Sequence, residues 1–165
     1  MTRSMKMLAA VALGLTLVAA APAKVDDQAA TKQTIIDIRA VGTAMYTWYK
    51  DQVKKPGQGG GADPVEVDIS EVPVISRQDL EKLLVPKYIA HVPETDGWGN
   101  PYEFHLNVQK PDVKQGVMGL RSAGRDGVFS GETYKIGGFP LDELDQDIAW
   151  VDGYFVRWPE RPKAE

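Results

Sequence analysis

Between Thr31 and Val53 the apolar positions fall at Ile35, Ile38, Val41, Met45, Trp48 and Tyr49. Steps of three and four place them on one stripe of an α-helix, and Asp26, Asp27 and Thr31 are candidate caps near its start. Such a stripe needs a partner surface, so Trp48 and Tyr49 read as core and not as a ligand platform. A second, shorter helix is predicted over Arg77 to Leu84, capped by Ser76 with Asp79 three residues on, and with Leu80, Leu83 and Leu84 facing inward. Lys87 to Val92 then leads into a turn. Alternating segments follow at Tyr102–Leu106, Val117–Leu120 and Tyr154–Trp158, bounded by Gly, Pro and Asp, and these suggest antiparallel strands. His105 lies between Phe104 and Leu106, so it is expected to face solvent.

Helix first and strands later predicts an α+β fold, with one N-terminal amphipathic helix packed on a small antiparallel sheet and long C-terminal loops. Lys54 to Asp63 (KKPGQGGGAD) reads as a flexible loop. A phosphate cradle there is disfavoured, because no strand precedes it and no Gly-Lys-Ser or Gly-Lys-Thr closes it.

Residues 1–23 are set apart from this fold as a signal peptide. Arg3 and Lys6 give a positive start, Met7 to Ala21 are uncharged, and Ala21-Pro22-Ala23 offers a small-x-small exit. The apolar run is shorter than the ~20 residues of a membrane span. A retained anchor is the competing reading. Export to the periplasm or beyond is therefore expected, without membrane insertion after cleavage, and residues 24–165 form one domain. With no Cys the chain has neither a lipoprotein anchor nor a disulfide. A formal net charge of −4 at pH 7 argues against nucleic-acid binding and provides no basic patch for anionic lipid.

Three blocks carry the most information: Asp96-Gly-Trp-Gly-Asn-Pro-Tyr102, Ser122-Ala-Gly-Arg-Asp-Gly127 and Asp147-Ile-Ala-Trp150. In the first, the glycines permit positive φ, Pro101 fixes φ and Trp98 can plug a core, which is turn architecture. In this order the blocks resemble the C-terminal domain of the major pseudopilin of type II secretion systems, over about residues 80–150. Where that family has Pro after the first Asp, this chain has Gly97, which should leave the turn slightly more mobile at its start. The family's Phe-Thr-Leu-Ile-Glu segment and its polymerising helix have no counterpart here. The chain looks like a pseudopilin head detached from its stem.

The resemblance implies a filament or scaffold subunit and not an enzyme. It also implies calcium, held by carboxylates matching Asp126 and Asp147 and by carbonyls carried over by position to Ala123 and Val128. The physics suits calcium, which takes six to eight oxygens. The family keeps its two acids a few residues apart, whereas residues 127–146 intervene here. Glu132, Asp142, Glu143 and Asp145 offer substitute oxygens, and Arg125 is placed to pair with Asp126 in place of a metal. Without the resemblance, the acids from Asp142 to Asp147 read as a solvated loop or helix start.

Catalytic residue types are sparse. His91 and His105 are the only histidines, and neither Gly-x-Ser-x-Gly nor His-Glu-x-x-His occurs. The expected role is that of a non-enzymatic, pseudopilin-like component acting with secretion or pilus apparatus proteins. The alternative is a periplasmic binding module or hydrolase reusing the fold, with a groove in Gly131–Gln146 lined by Tyr134 and Phe139.

Overall fold

The computed structural model describes residues 25–53, 65–109 and 117–160, so the expected signal peptide and the Gly-rich loop at 54–63 lie outside the described residues. The first helix, α1, spans Asp27–Gln52 and starts earlier than the apolar stripe. Asp26 caps it, its side chain accepting from the amides of Gln28 and Ala29 at 3.0 and 3.3 Å. Ile38, Val41, Met45, Trp48 and Tyr49 are buried as the spacing predicts, while Ile35 is only half-buried. The second helix, α2 (Arg77–Leu84), is capped by Ser76 Oγ, which accepts from the Asp79 amide at 3.1 Å. Leu80 and Leu84 are buried and Leu83 packs at the margin.

Eight strands complete the fold: β1 (Glu66–Asp68), β2 (Val74–Ile75), β3 (Glu103–Leu106), β4 (Met118–Ser122), β5 (Thr133–Lys135), β6 (Gly137–Pro140), β7 (Ile148–Val151) and β8 (Tyr154–Glu160). The fold class is α+β, as expected, but the sheet is larger than the alternation implied. Six strands are ordered β2-β3-β4-β7-β8-β6, antiparallel except for the parallel β6–β8 pair, and β1 and β5 form a separate two-stranded ribbon. Residues 131–146 are therefore not a long loop, because β5 and β6 lie within them. Pairing with β1 and β8 satisfies their backbone groups, the general requirement for buried chain.

The central sheet is covered on both faces. In β7, Ile148 and Trp150 join the large core beneath α1, whereas Ala149 and Val151 join a second cluster with Ile69, Val72, Tyr134 and Val156 on the ribbon side. This corrects the expectation for His105. The alternation does put it on the face opposite Phe104 and Leu106, but that face is roofed by the Ile69–Val72 segment, and His105 is 1% exposed.

Helix and sheet meet closely at Gly42 of α1. A Cβ there would lie 2.7 Å from the Trp150 ring, so no larger residue fits without displacing the indole. Two residue types far apart in sequence thus set the distance between the layers. Trp48 fills the same core from the C-terminal half of α1, and is 6% exposed. Trp48→Ala should lower unfolding free energy by about 3–5 kcal/mol, the range for large aromatic deletions in a core. Chemical denaturation of the two proteins checks this, and a change below about 1 kcal/mol would remove Trp48 from the core.

Candidate functional site

The first two sequence blocks form one joint. Asp96 is 5% exposed, and its carboxylate accepts from the amides of Trp98 (3.0 Å) and Asn100 (2.9 Å) through Oδ1, and from Ser122 Oγ (2.6 Å) through Oδ2. Asn100 Nδ2 donates in turn to the Gly124 carbonyl at 2.7 Å. The turn is also fixed to α1, because the Gly97 amide donates to Thr34 Oγ1 at 3.0 Å and Trp98 Nε1 to Asp27 Oδ1 at 3.1 Å. A Cβ on Gly97 would lie 2.1 Å from the Ala30 carbonyl oxygen. Gly97 is thus required by backbone-to-backbone contact, and its amide holds the start of the turn against α1.

The second and third blocks are joined by other means. Gly124 (φ +69°) packs against the carbonyls of Leu144 and Gln146, each of which a Cβ there would approach to 2.6 Å. Arg125 donates to Asp145 at 2.9 and 3.2 Å and reaches Asp27 at 3.5 Å. It does not take up the pairing with Asp126 that the sequence suggested. Hydrogen bonds to Asp145 come first among the causes that raise the Arg125 guanidinium above its ordinary value.

Of the four positions expected to hold calcium, Ala123 and Asp147 are buried, while Asp126 and Val128 are exposed. The Asp147 oxygens already accept from Ser130 N (3.1 and 3.3 Å), Ser130 Oγ (3.0 Å) and Tyr134 OH (2.7 Å). Asp126 Oδ1 accepts from the Val128 amide at 3.0 Å. Among the described residues no three His, Cys, Asp or Glu side chains form a metal-holding group. A calcium ion on Asp147 would have to share or displace the contacts from the Ser130 amide and the Ser130 and Tyr134 hydroxyls.

Asp147 instead ends a buried polar chain that crosses the sheet. Tyr134 OH donates to it, and Arg121 Nη1 donates to Tyr134 OH at 2.8 Å and to the Gly131 carbonyl. Arg121 also contacts Glu103 Oε1 at 2.6–2.8 Å, and the same oxygen lies 2.8 Å from His105 Nε2. His105 Nδ1 reaches the Val72 carbonyl at 2.8 Å, and the Arg121 guanidinium lies 4.1 Å over the Phe129 ring. Burial pushes the Glu103 carboxyl up, but hydrogen bonds and charge from His105 and Arg121 outweigh it, so Glu103 sits below the ordinary carboxylate range. Burial first, then the Asp147 contact, raises the Tyr134 phenol well above its ordinary value against the opposing pull of Arg121.

This chain escaped the sequence reading, because its members come from β3, β4, β5 and the residue just before β7 and form no motif. The one available signal was Arg121, a long cation inside a strand of otherwise small and apolar residues. Tyr134 and Phe139, expected to line a groove, are both buried, Phe139 within the main core. The same segment does border a cleft of about 790 Å³ with the first turn of α1, where Leu141, Leu144 and Pro159 face Asp26, Asp27 and Thr31. No family model matches this chain, and neither a curated protein nor a solved structure matches it.

Two outcomes follow from these contacts. Because the native Glu103 value lies below the unfolded one, its contribution is present above the ordinary carboxylate range and is lost as pH falls through its lowered value. Glu103→Gln should cost about 1–3 kcal/mol at neutral pH by under-satisfying buried Arg121, and should flatten the acid limb of stability against pH. An acid limb identical to wild type would exclude Glu103 as its source. For the metal, a bound ion at a hundredfold excess over Kd would add about 2.7 kcal/mol. Melting curves in millimolar calcium and in chelator should instead coincide, and a calcium-dependent rise abolished by Asp126→Ala would restore the metal site.

Proposed function

We propose that this protein is a non-enzymatic, exported, pseudopilin-like accessory component of a type II secretion or pilus-like apparatus, acting through protein contacts. The observation that carries the reading is the ordered set of three blocks together with the use the fold makes of them. Asp96 and Asn100 bind the second block, and Trp150 of the third lies against Gly42 of α1. Residues that resemble a family's pattern are therefore the same residues that hold the layers in place here. Closure of the 122–147 region rests in this reading on hydrogen bonds and the Arg125–Asp145 pair, without dependence on calcium.

A binding module is the second reading, and the cleft beside Leu141 and Leu144 is what favours it. A hydrolase has less support. The two polar constellations described above are occupied by mutual hydrogen bonds, and His105 is enclosed between Val72 and Glu103. Fold likeness alone never assigns a role, so the two readings are separated at the partner.

Affinity-tagged protein recovered from the envelope of its native host should bring down identified secretion or pilus subunits. Leu141→Asp, which alters the cleft alone, should leave that recovery unchanged. Recovery of no apparatus subunit from wild type would count decisively against the first reading. Loss of recovery in Leu141→Asp would move the contact to the cleft.

A further inference from the structure

The chain contains three Asp-Gly pairs, Asp96-Gly97, Asp126-Gly127 and Asp152-Gly153. Asp followed by Gly is the dipeptide most open to attack of the glycine amide nitrogen on the aspartyl carboxyl carbon, because no Cβ shields that nitrogen. In an unfolded chain the three pairs are chemically alike. In the folded protein they differ sharply.

Asp96 is buried, and both of its oxygens accept from the surrounding donors. The Gly97 amide nitrogen is committed to Thr34 Oγ1, and the residue is wedged against Ala30. Attack there requires the joint between turn and helix to open. At the β7–β8 turn, Asp152 Oδ1 is held across the sheet by the amides of Val117 (2.9 Å) and Met118 (3.0 Å). The Asp152 amide itself donates to the Met118 carbonyl at 3.1 Å. Its carboxyl is thus tied to the start of β4.

Asp126 has neither restraint. Asp126 and Gly127 are both exposed, and the carboxylate's contact is local, from Oδ1 to the Val128 amide at 3.0 Å. The same bond closes at Asp96, from Oδ1 to the Trp98 amide, so what sets Asp126 apart is its exposure and the lack, among the described residues, of any further hold on its carboxylate. Gly127 has φ +70°, and a Cβ there would lie 2.8 Å from Asn100 Oδ1. Glycine is therefore required at this position, and the unshielded nitrogen comes with it.

We infer that Asp126-Gly127 is a site of spontaneous succinimide formation and isoaspartyl conversion, and that the fold suppresses the same reaction at Asp96 and Asp152. The Gly127 nitrogen bonds to the Asp126 carboxyl carbon, and a carboxyl oxygen leaves as water with the amide proton and the carboxyl proton. Water then opens the ring at either carbonyl. One route restores aspartate, and the other leaves the main chain running through Cβ with the former α-carbonyl as a free carboxylate. No oxidant or reductant takes part. The isoaspartyl form loses the contact from Oδ1 to Val128 and displaces Gly127 from Asn100, whose amide anchors Gly124 at 2.7 Å. The partner chemistry this implies is methyl transfer by an enzyme that recognises an L-isoaspartyl carboxylate.

The test incubates the full chain for weeks at neutral pH and physiological temperature, folded in one arm and denatured in the other. Isoaspartate is read out per peptide by recombinant isoaspartyl methyltransferase with labelled S-adenosylmethionine and by electron-based fragmentation. In denaturant all three pairs should convert at similar rates. In the folded protein, conversion at Asp126 should stay within a few-fold of its denatured rate, while Asp96 and Asp152 fall well below theirs. Asp126→Ala should remove the folded-state signal. Suppression of Asp126 to the level of the other two, or conversion concentrated at Asp96 or Asp152, overturns the inference.

Discussion

A carboxylate shut away from water must be matched by donors, or it destabilises whatever encloses it, and Asp96 is matched by three. Two are backbone amides of its own turn, and the third is Ser122 at the end of β4. The geometry therefore fixes the turn's shape and its place on the sheet in one set of contacts. With the turn placed, Gly97 meets Ala30 and Thr34, and the N-terminal half of α1 is set against the sheet. Trp150 under Gly42 then fixes the middle of the helix. Removing the Asp96 carboxylate would leave two amides and a hydroxyl to find other partners, which few substitutions supply.

The opposite face of the sheet is held by a different kind of interaction. Arg121 stands between Glu103 and Tyr134, and the chain ends at His105 and Asp147. Buried charge costs desolvation, and apolar residues of similar volume often do as well for stability. A polar chain, however, has donors and acceptors that match in only one register, whereas apolar contacts tolerate sliding. The β1–β5 ribbon is short, with three residues in each strand, so its ladder alone specifies its position weakly. Tyr134 is the ribbon residue that enters the polar chain, and it supplies the register the ladder lacks.

What could be read from the sequence was what depends on local order. The stripe from Ile38 to Tyr49 and the cap at Ser76 reported their helices, because helical periodicity and capping are encoded within a few residues. The motif Asp96 to Tyr102 reported a turn for the same reason. His105 failed because alternation tells which face a residue is on, and not whether a second layer covers that face. The strands within 131–146 failed because β5 is three residues long and β6 begins with two glycines, so neither shows a pattern of its own. Gly97 was read as freedom when its role is proximity, a distinction that needs the position of Ala30. The partners of Arg125 were misjudged likewise, since Asp145 and Asp27 are its neighbours only in space.

These contacts bear on how a role is inferred from motif likeness. Asp96, Asn100, Ser122, Gly124 and Trp150, all within the three sequence blocks, are engaged in holding the fold together. A residue committed to such contacts is unavailable to a partner, so the three sequence blocks are the part of the chain least able to reveal what the protein binds. The discriminating surfaces are those outside the joint, such as the solvent side of α1, the exposed loop around Asp126 and the cleft beside Leu141. At their exposed positions that hold no other element, such as Leu141, substitutions disturb the architecture least, which is the condition under which a partner experiment measures role and not stability.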